Sequence, residues 1–157
     1  MTNLHPIAVH FAVALFATSI IFELVGFMTR SIAFEKAAWI NMIFAGVAIL
    51  AAVLTGFSAE DSVIQTNEVR DLMEIHETLG VIIAGIAAIM LTWRVFNQRP
   101  LSRTQTGIYL VIGFICLGLI IATGYYGGKM VYEHGVGVKP VMKQIIEERE
   151  SNNHKPD

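Results

Sequence analysis

The sequence predicts an all-α integral membrane protein, a four-helix bundle with both termini on the same, outer side. Three observations lead there. Residues 1–22, 37–59, 78–93 and 104–128 contain no Asp, Glu, Lys or Arg, and about 20 apolar residues are enough to cross a bilayer as a helix. The chain is 54% hydrophobic and only 15% charged, against about 25% charged in a soluble domain. Four of its five histidines, His5, His10, His76 and His134, stand at the mouths of apolar runs, and only His154 lies in the tail.

The first helix is expected over about 6–28. Pro6 suits its first turn, where the missing N–H costs nothing. Glu23 is its one charge, expected either as an interfacial carboxylate reaching water or Arg30, or as a functional group inside the membrane. No basic stretch precedes this helix, so it reads as a membrane span and not as a signal peptide. The second helix is expected over about 35–57, with Trp39 at interface depth. Ala48, Ala52 and Gly56 recur every four residues on it, a smooth stripe for close helix contact.

A polar loop follows, and Thr66 or Asn67 is placed to cap the third helix, over about 68–96. Val69, Leu72, His76, Leu79 and Ile83 fall at helical spacing, which puts His76 on the inward stripe. His76 also stands above Gly80, Ala84 and Ala88, a column too small to fill space. The fourth helix is expected over about 106–126. The segment GGKMVYEHGVGV, 127–138, is expected to leave the helix at its glycines and fold back over the bundle mouth. Residues 1–138 form the membrane domain. Residues 139–157 form a tail, with a short amphipathic helix from Pro140 and a disordered end. No repeat of 20–50 residues is visible, and the likeness of 1–57 to 68–138 reduces to a histidine opening each half.

Basic residues set the expected orientation. The loops opposite the histidine end carry Arg30, Lys36, Arg94, Arg99 and Arg103 against one acid, Glu35. By the positive-inside rule those loops face the cytoplasm. Both termini and all histidines then face the periplasm of a bacterial inner membrane. A net charge of −2 gives no reason to expect nucleic acid. Cys116 is single, which excludes an intrachain disulfide and a cysteine cluster, and it reads as a small core residue.

Histidine is scarce at membrane depth without a partner, and neutral imidazole ligates both metals and haem. His5 and His10 are about 140° apart around a helix, so they face different partners. The expected pairs are His10 with His76, each above small residues, and His5 with His134. Arg70 and Lys129 are candidates for haem propionates. The leading expectation is a b-type cytochrome-like electron carrier or redox subunit with one or two bis-histidine haems near the outer face. From His10 to the far end is about 22 Å of helix. Such a site therefore exchanges electrons at the outer face, with a periplasmic redox partner, a membrane complex or quinol from the lipid. Two other readings stand beside it. One is a copper or zinc site on the same four histidines with Glu77, Glu133 or Met130. The other is a non-catalytic assembly subunit. No nucleophile–base pair occurs at recognisable spacing, so a carrier or subunit is expected over a stand-alone enzyme.

Four motifs carry a family resemblance. LHPIAVHF at 4–11, TG with an acidic loop at 55–61, HETLG at 76–80 and GGKMVYEHGVGV at 127–138 resemble the bacterial four-helix membrane proteins known as domain of unknown function 2231. The likeness spans about 4–138. It implies the four-helix fold and, because some relatives are joined to Rieske-type or c-type cytochrome domains, favours a redox setting. These 157 residues carry no such domain, so a partner protein is expected to supply one. The resemblance also points to His5, His10, His76 and His134. This chain has Phe11-Ala12 where relatives have Phe-Pro, which removes a helix-start proline and leaves the histidines in place.

Overall fold

The computed structural model describes residues 4–60, 66–97, 101–138, 143, 144, 146 and 147, and of Ala59 and Glu60 only the backbone. Four helices make up the bundle: α1 (His5–Thr29), α2 (Ile32–Glu60), α3 (Asn67–Phe96) and α4 (Arg103–His134). Each is long and apolar enough to cross a membrane. Large apolar residues such as Phe11, Phe44, Val47, Ile89 and Ile121 point outward along them. In water so much exposed apolar surface would drive aggregation; in a bilayer it is the lipid-facing coat. Inside, Phe16 and Ile20 of α1, Met42 and Ala45 of α2, Met90 of α3, and Tyr109 and Cys116 of α4 form the core.

The helix ends follow local chemistry. A turn of two residues, Arg30 and Ser31, joins α1 to α2, with Arg30 left-handed at φ 57°. Gly26 permits it: a Cβ there would lie 3.0 Å from Glu35 Cγ and 3.2 Å from its backbone nitrogen. Thr66 caps α3, its hydroxyl accepting from the Val69 N–H at 3.3 Å. Ser102 opens α4 in a reciprocal capping box with Gln105, which starts that helix three residues earlier than expected.

The larger departure is at the other end of α4. GGKMVYEH does not fold back but continues the helix to His134, and Gly135, at φ 65°, ends it. Two helical glycines cost about 1 kcal/mol each relative to alanine. Packing offsets this, since the extra turns bring Met130 onto Val69 and Met73. Of the amphipathic tail helix, only residues 143, 144, 146 and 147 are described; they are helical and exposed, with Lys143 3.7 Å from Glu147. His154 lies outside the described residues.

α1 and α2 form one antiparallel hairpin, α3 and α4 another, and the two pack side by side with α1 and α3 running the same way. Both ends of the helical part therefore lie on one side. The hairpins also match in register. His5 lies 47 residues before its carbonyl partner Ala52, and His76 lies 47 before Thr123. An offset of 71 residues carries His5 to His76 and Ala52 to Thr123. It also carries the start of α2 to the start of α4 and Glu23 to Arg94, which form an ion pair with each other. The bundle is an approximate twofold repeat with its axis along the helices, longer in period than the repeats sought in the sequence.

Two pairs of equivalent residues meet on that axis, one near each end. His5 faces His76 at the first. At the second, Arg94 Nη1 donates to Glu23 Oε2 at 2.5 Å, and Nη2 donates to the Glu35 carbonyl at 3.3 Å. The guanidinium also lies 5.8 Å from the Trp39 ring centre and 5.6 Å from that of Tyr109. Glu23 is 2% exposed. Its partner is thus Arg94 and not Arg30: as a long side chain on the diagonal helix, Arg94 reaches into the bundle, while Arg30 sits in the exposed turn.

Candidate functional site

His5 is the first residue of α1. Its Nδ1 lies 2.9 Å from the Ala52 carbonyl of α2, and the Thr55 hydroxyl is 3.4 Å away. His76, in the third turn of α3, places Nδ1 2.9 Å from the Thr123 carbonyl of α4. A carbonyl only accepts, so each ring donates from Nδ1. In the neutral imidazole this leaves Nε2 as the basic nitrogen, the arrangement that ligating histidines use to fix ring orientation.

Each ring rests on a glycine one turn beyond its carbonyl partner. A Cβ on Gly56 would lie 3.1 Å from His5 Cε1, and one on Gly127 would lie 3.1 Å from His76 Cε1. No other residue lets the backbone come so close without moving the ring. The two ring centres are 6.1 Å apart and their planes are 78° to each other. Two imidazoles on opposite sides of one metal ion, each at about 2.0–2.1 Å, have ring centres about 6.3 Å apart. Edge-to-face ring contact also spans this distance, so the decisive feature is that both rings are anchored the same way.

A cavity of about 130 Å³ surrounds the pair, room for about four waters. Its lining repeats with the bundle: Ala12 with Ile83, Ile49 with Ile120, and Val53 with Gly124 are all related by the 71-residue offset. The lining is almost wholly apolar, and among the described residues Glu77 is the one carboxylate on it. An apolar cavity of this size stays dry or takes an apolar group.

The other expected site residues lie elsewhere. His10 is exposed on the outer face of α1, its Nδ1 2.5 Å from the Pro6 carbonyl of its own helix. The expected His10–His76 pair is therefore replaced by His5–His76. The cause is helix phase: five residues turn His10 about 140° away from His5, and α2 packs on the His5 side. His134 is half-buried at the last turn of α4, about two turns beyond Gly127, and does not line the cavity. Lys129 lies 3.7 Å from Glu133 on its own helix, and Arg70 is exposed on α3. Neither reaches the cavity. Met130 is buried against Val69 and Met73. Among the described residues, no three His, Cys, Asp or Glu side chains come together closely enough to hold a metal ion.

A family described as "Predicted membrane protein (DUF2231)" matches residues 1–140. The chain belongs to this family. Its description agrees with four membrane-crossing helices and assigns no activity. No curated protein and no solved structure matches the chain. Within this DUF2231 protein, the histidine pair was half legible. The sequence marked His5 and His76 but not their glycine supports, and the signal was present: His5 to Gly56 and His76 to Gly127 are the same distance along the chain.

Proposed function

We propose that this DUF2231 protein is a b-type cytochrome-like electron carrier, or the redox subunit of a larger complex, in the bacterial inner membrane. One haem b is held between His5 and His76. The observation that carries the reading is the pair itself: two imidazoles facing each other between the hairpins, each with Nδ1 held by a backbone carbonyl, beside an apolar cavity.

The donor set and the apolar lining suit such a group, whereas the enclosed space of about 130 Å³ is that of one benzene-sized group, so the two hairpins would have to part to admit a macrocycle. His5 and His76 would hold the iron, and the paired small and apolar residues of the lining would exclude water from it. A bound haem supplies one-electron transfer at its iron. The protein keeps the rings oriented from both sides and holds the site at one end of the bundle. α1 is 25 residues long, about 37 Å, so one group at this end exchanges electrons on its own side only. Arg30, Lys36 and Arg103, crowded at the opposite turns, support a periplasmic histidine side under the positive-inside rule. A periplasmic redox protein or quinol from the lipid is then the partner within reach.

The test is the absorption spectrum of the protein purified from haem-supplied cells, oxidised and reduced. Soret and α bands are expected. They should vanish in His5→Gln and in His76→Gln and persist in His10→Gln and His134→Gln. Stoichiometric copper without haem would move the assignment to a two-imidazole copper site. Zinc, which favours four ligands, finds fewer than three together among the described residues. No bound iron or copper, with all four variants alike, would leave a structural or assembly role and sink the redox reading.

A further inference from the structure

The second residue pair on the axis has no part in that reading, and it treats the two hairpins differently from the first. His5 and His76 are identical, so they would meet equally well if a hairpin paired with a copy of itself. Glu23 and Arg94 are equivalent positions carrying opposite charges. Pairing of the first hairpin with its own copy would set Glu23 against Glu23. Pairing of the second would set Arg94 against Arg94. Both charges are nearly enclosed, with side chains 3% and 14% exposed, at a depth where an uncompensated charge is strongly disfavoured.

We propose that the Glu23–Arg94 pair is the pairing code of a duplicated bundle. It lets each hairpin accept the other and refuse a copy of itself. The refusal has an object because the rest of the interface is so nearly symmetric: register, cavity lining and histidine contact repeat at 71 residues, and apolar surface in lipid discriminates little between partners. The surroundings are also fitted to this polarity. The guanidinium lies near the rings of Trp39 and Tyr109, whereas the equivalent positions are Leu110 and Ala38. A buried polar group that fixes partner choice has precedent in coiled coils. A buried ion pair is not itself a strong source of stability: replacing both partners with apolar residues is often neutral, while removing one is costly.

That difference supplies the test, on the full-length protein in detergent. Glu23→Arg and Arg94→Glu, made singly, should each lower the melting temperature by about 10 °C. The double exchange, E23R/R94E, should recover at least half of the loss, because opposite charges again face each other on the axis. The apolar pair E23M/R94M should melt close to the wild type yet lose selectivity. Untagged copies should then co-purify with tagged ones several-fold more than in the wild type, with a dimer species added in light scattering. The proposal is overturned if E23R/R94E is no better than the worse single change, or if E23M/R94M folds and co-purifies no more than the wild type. Should E23M/R94M fail to fold, the charge exchange decides alone.

Discussion

His5 and His10 sit on the same helix, five residues apart, and one turns into the bundle while the other faces out. The sequence separates them by angle but does not say which faces inward, because that depends on where α2 lies. What settles it is Ala52 and Gly56, which offer His5 a carbonyl and a place to rest. The small-residue stripe of α2 was readable; that an imidazole and not a helix backbone lies on it was not. Gly56→Ala tests this contact. Alanine favours the helix by about 1 kcal/mol, so the fold should persist, with the melting temperature within about 2–4 °C of the wild type. The new methyl, 3.1 Å from Cε1, should displace the ring and weaken cofactor retention about tenfold or more, measured as haem per protein after dilution. Gly127→Ala should do the same through His76. Gly118→Ala, whose added methyl meets nothing within 4 Å, should leave retention unchanged.

At the level of the helices, the expected spans all exist, and the two ends of α4 depart from expectation for separate reasons. A run of glycines was read as backbone freedom, whereas Gly127 is present for close approach to His76 and the helix passes straight through it. Glycine composition alone does not distinguish these uses; the partner that comes close does. The start of α4 was missed because Ser102 and Gln105 cap each other in a segment dominated by Arg99 and Pro100. Ser102→Ala should remove this box at a cost of about 1 kcal/mol, lowering the melting temperature by about 2–4 °C. Thr66→Ala should act similarly on α3. Amide exchange offers a direct check on the longer α4: Lys129 to Glu133 should be protected, as a helix requires and a folded-back loop does not.

Seen as a whole, the molecule is a twofold repeat whose halves share few residues, so the sequence alone revealed little beyond the two histidines. In lipid an outward position needs only to be apolar, and many residues satisfy that; identity survives where rings, glycines and carbonyls meet. The same economy leaves orientation to the charges at the ends. Arg94, counted in the sequence with the exposed basic residues, is turned inward to Glu23. Among the described residues, Arg30, Lys36 and Arg103 at the turn end then stand against Arg70, Lys129 and Lys143 at the histidine end. Positive charge near the ends of spans sets orientation and acidic residues contribute little, so these even counts leave the decision to a labelling experiment. Cysteine labelling checks this. Cys116 is fully buried and should stay unreactive in intact cells, so added cysteines report alone. Ser58→Cys, exposed at the histidine end of α2, should react with a membrane-impermeant maleimide once the outer membrane is opened. Thr104→Cys, exposed at the start of α4, should react only after the inner membrane is permeabilised. The reverse pattern would place the histidine pair at the cytoplasmic face, and with it any partner of the proposed redox site.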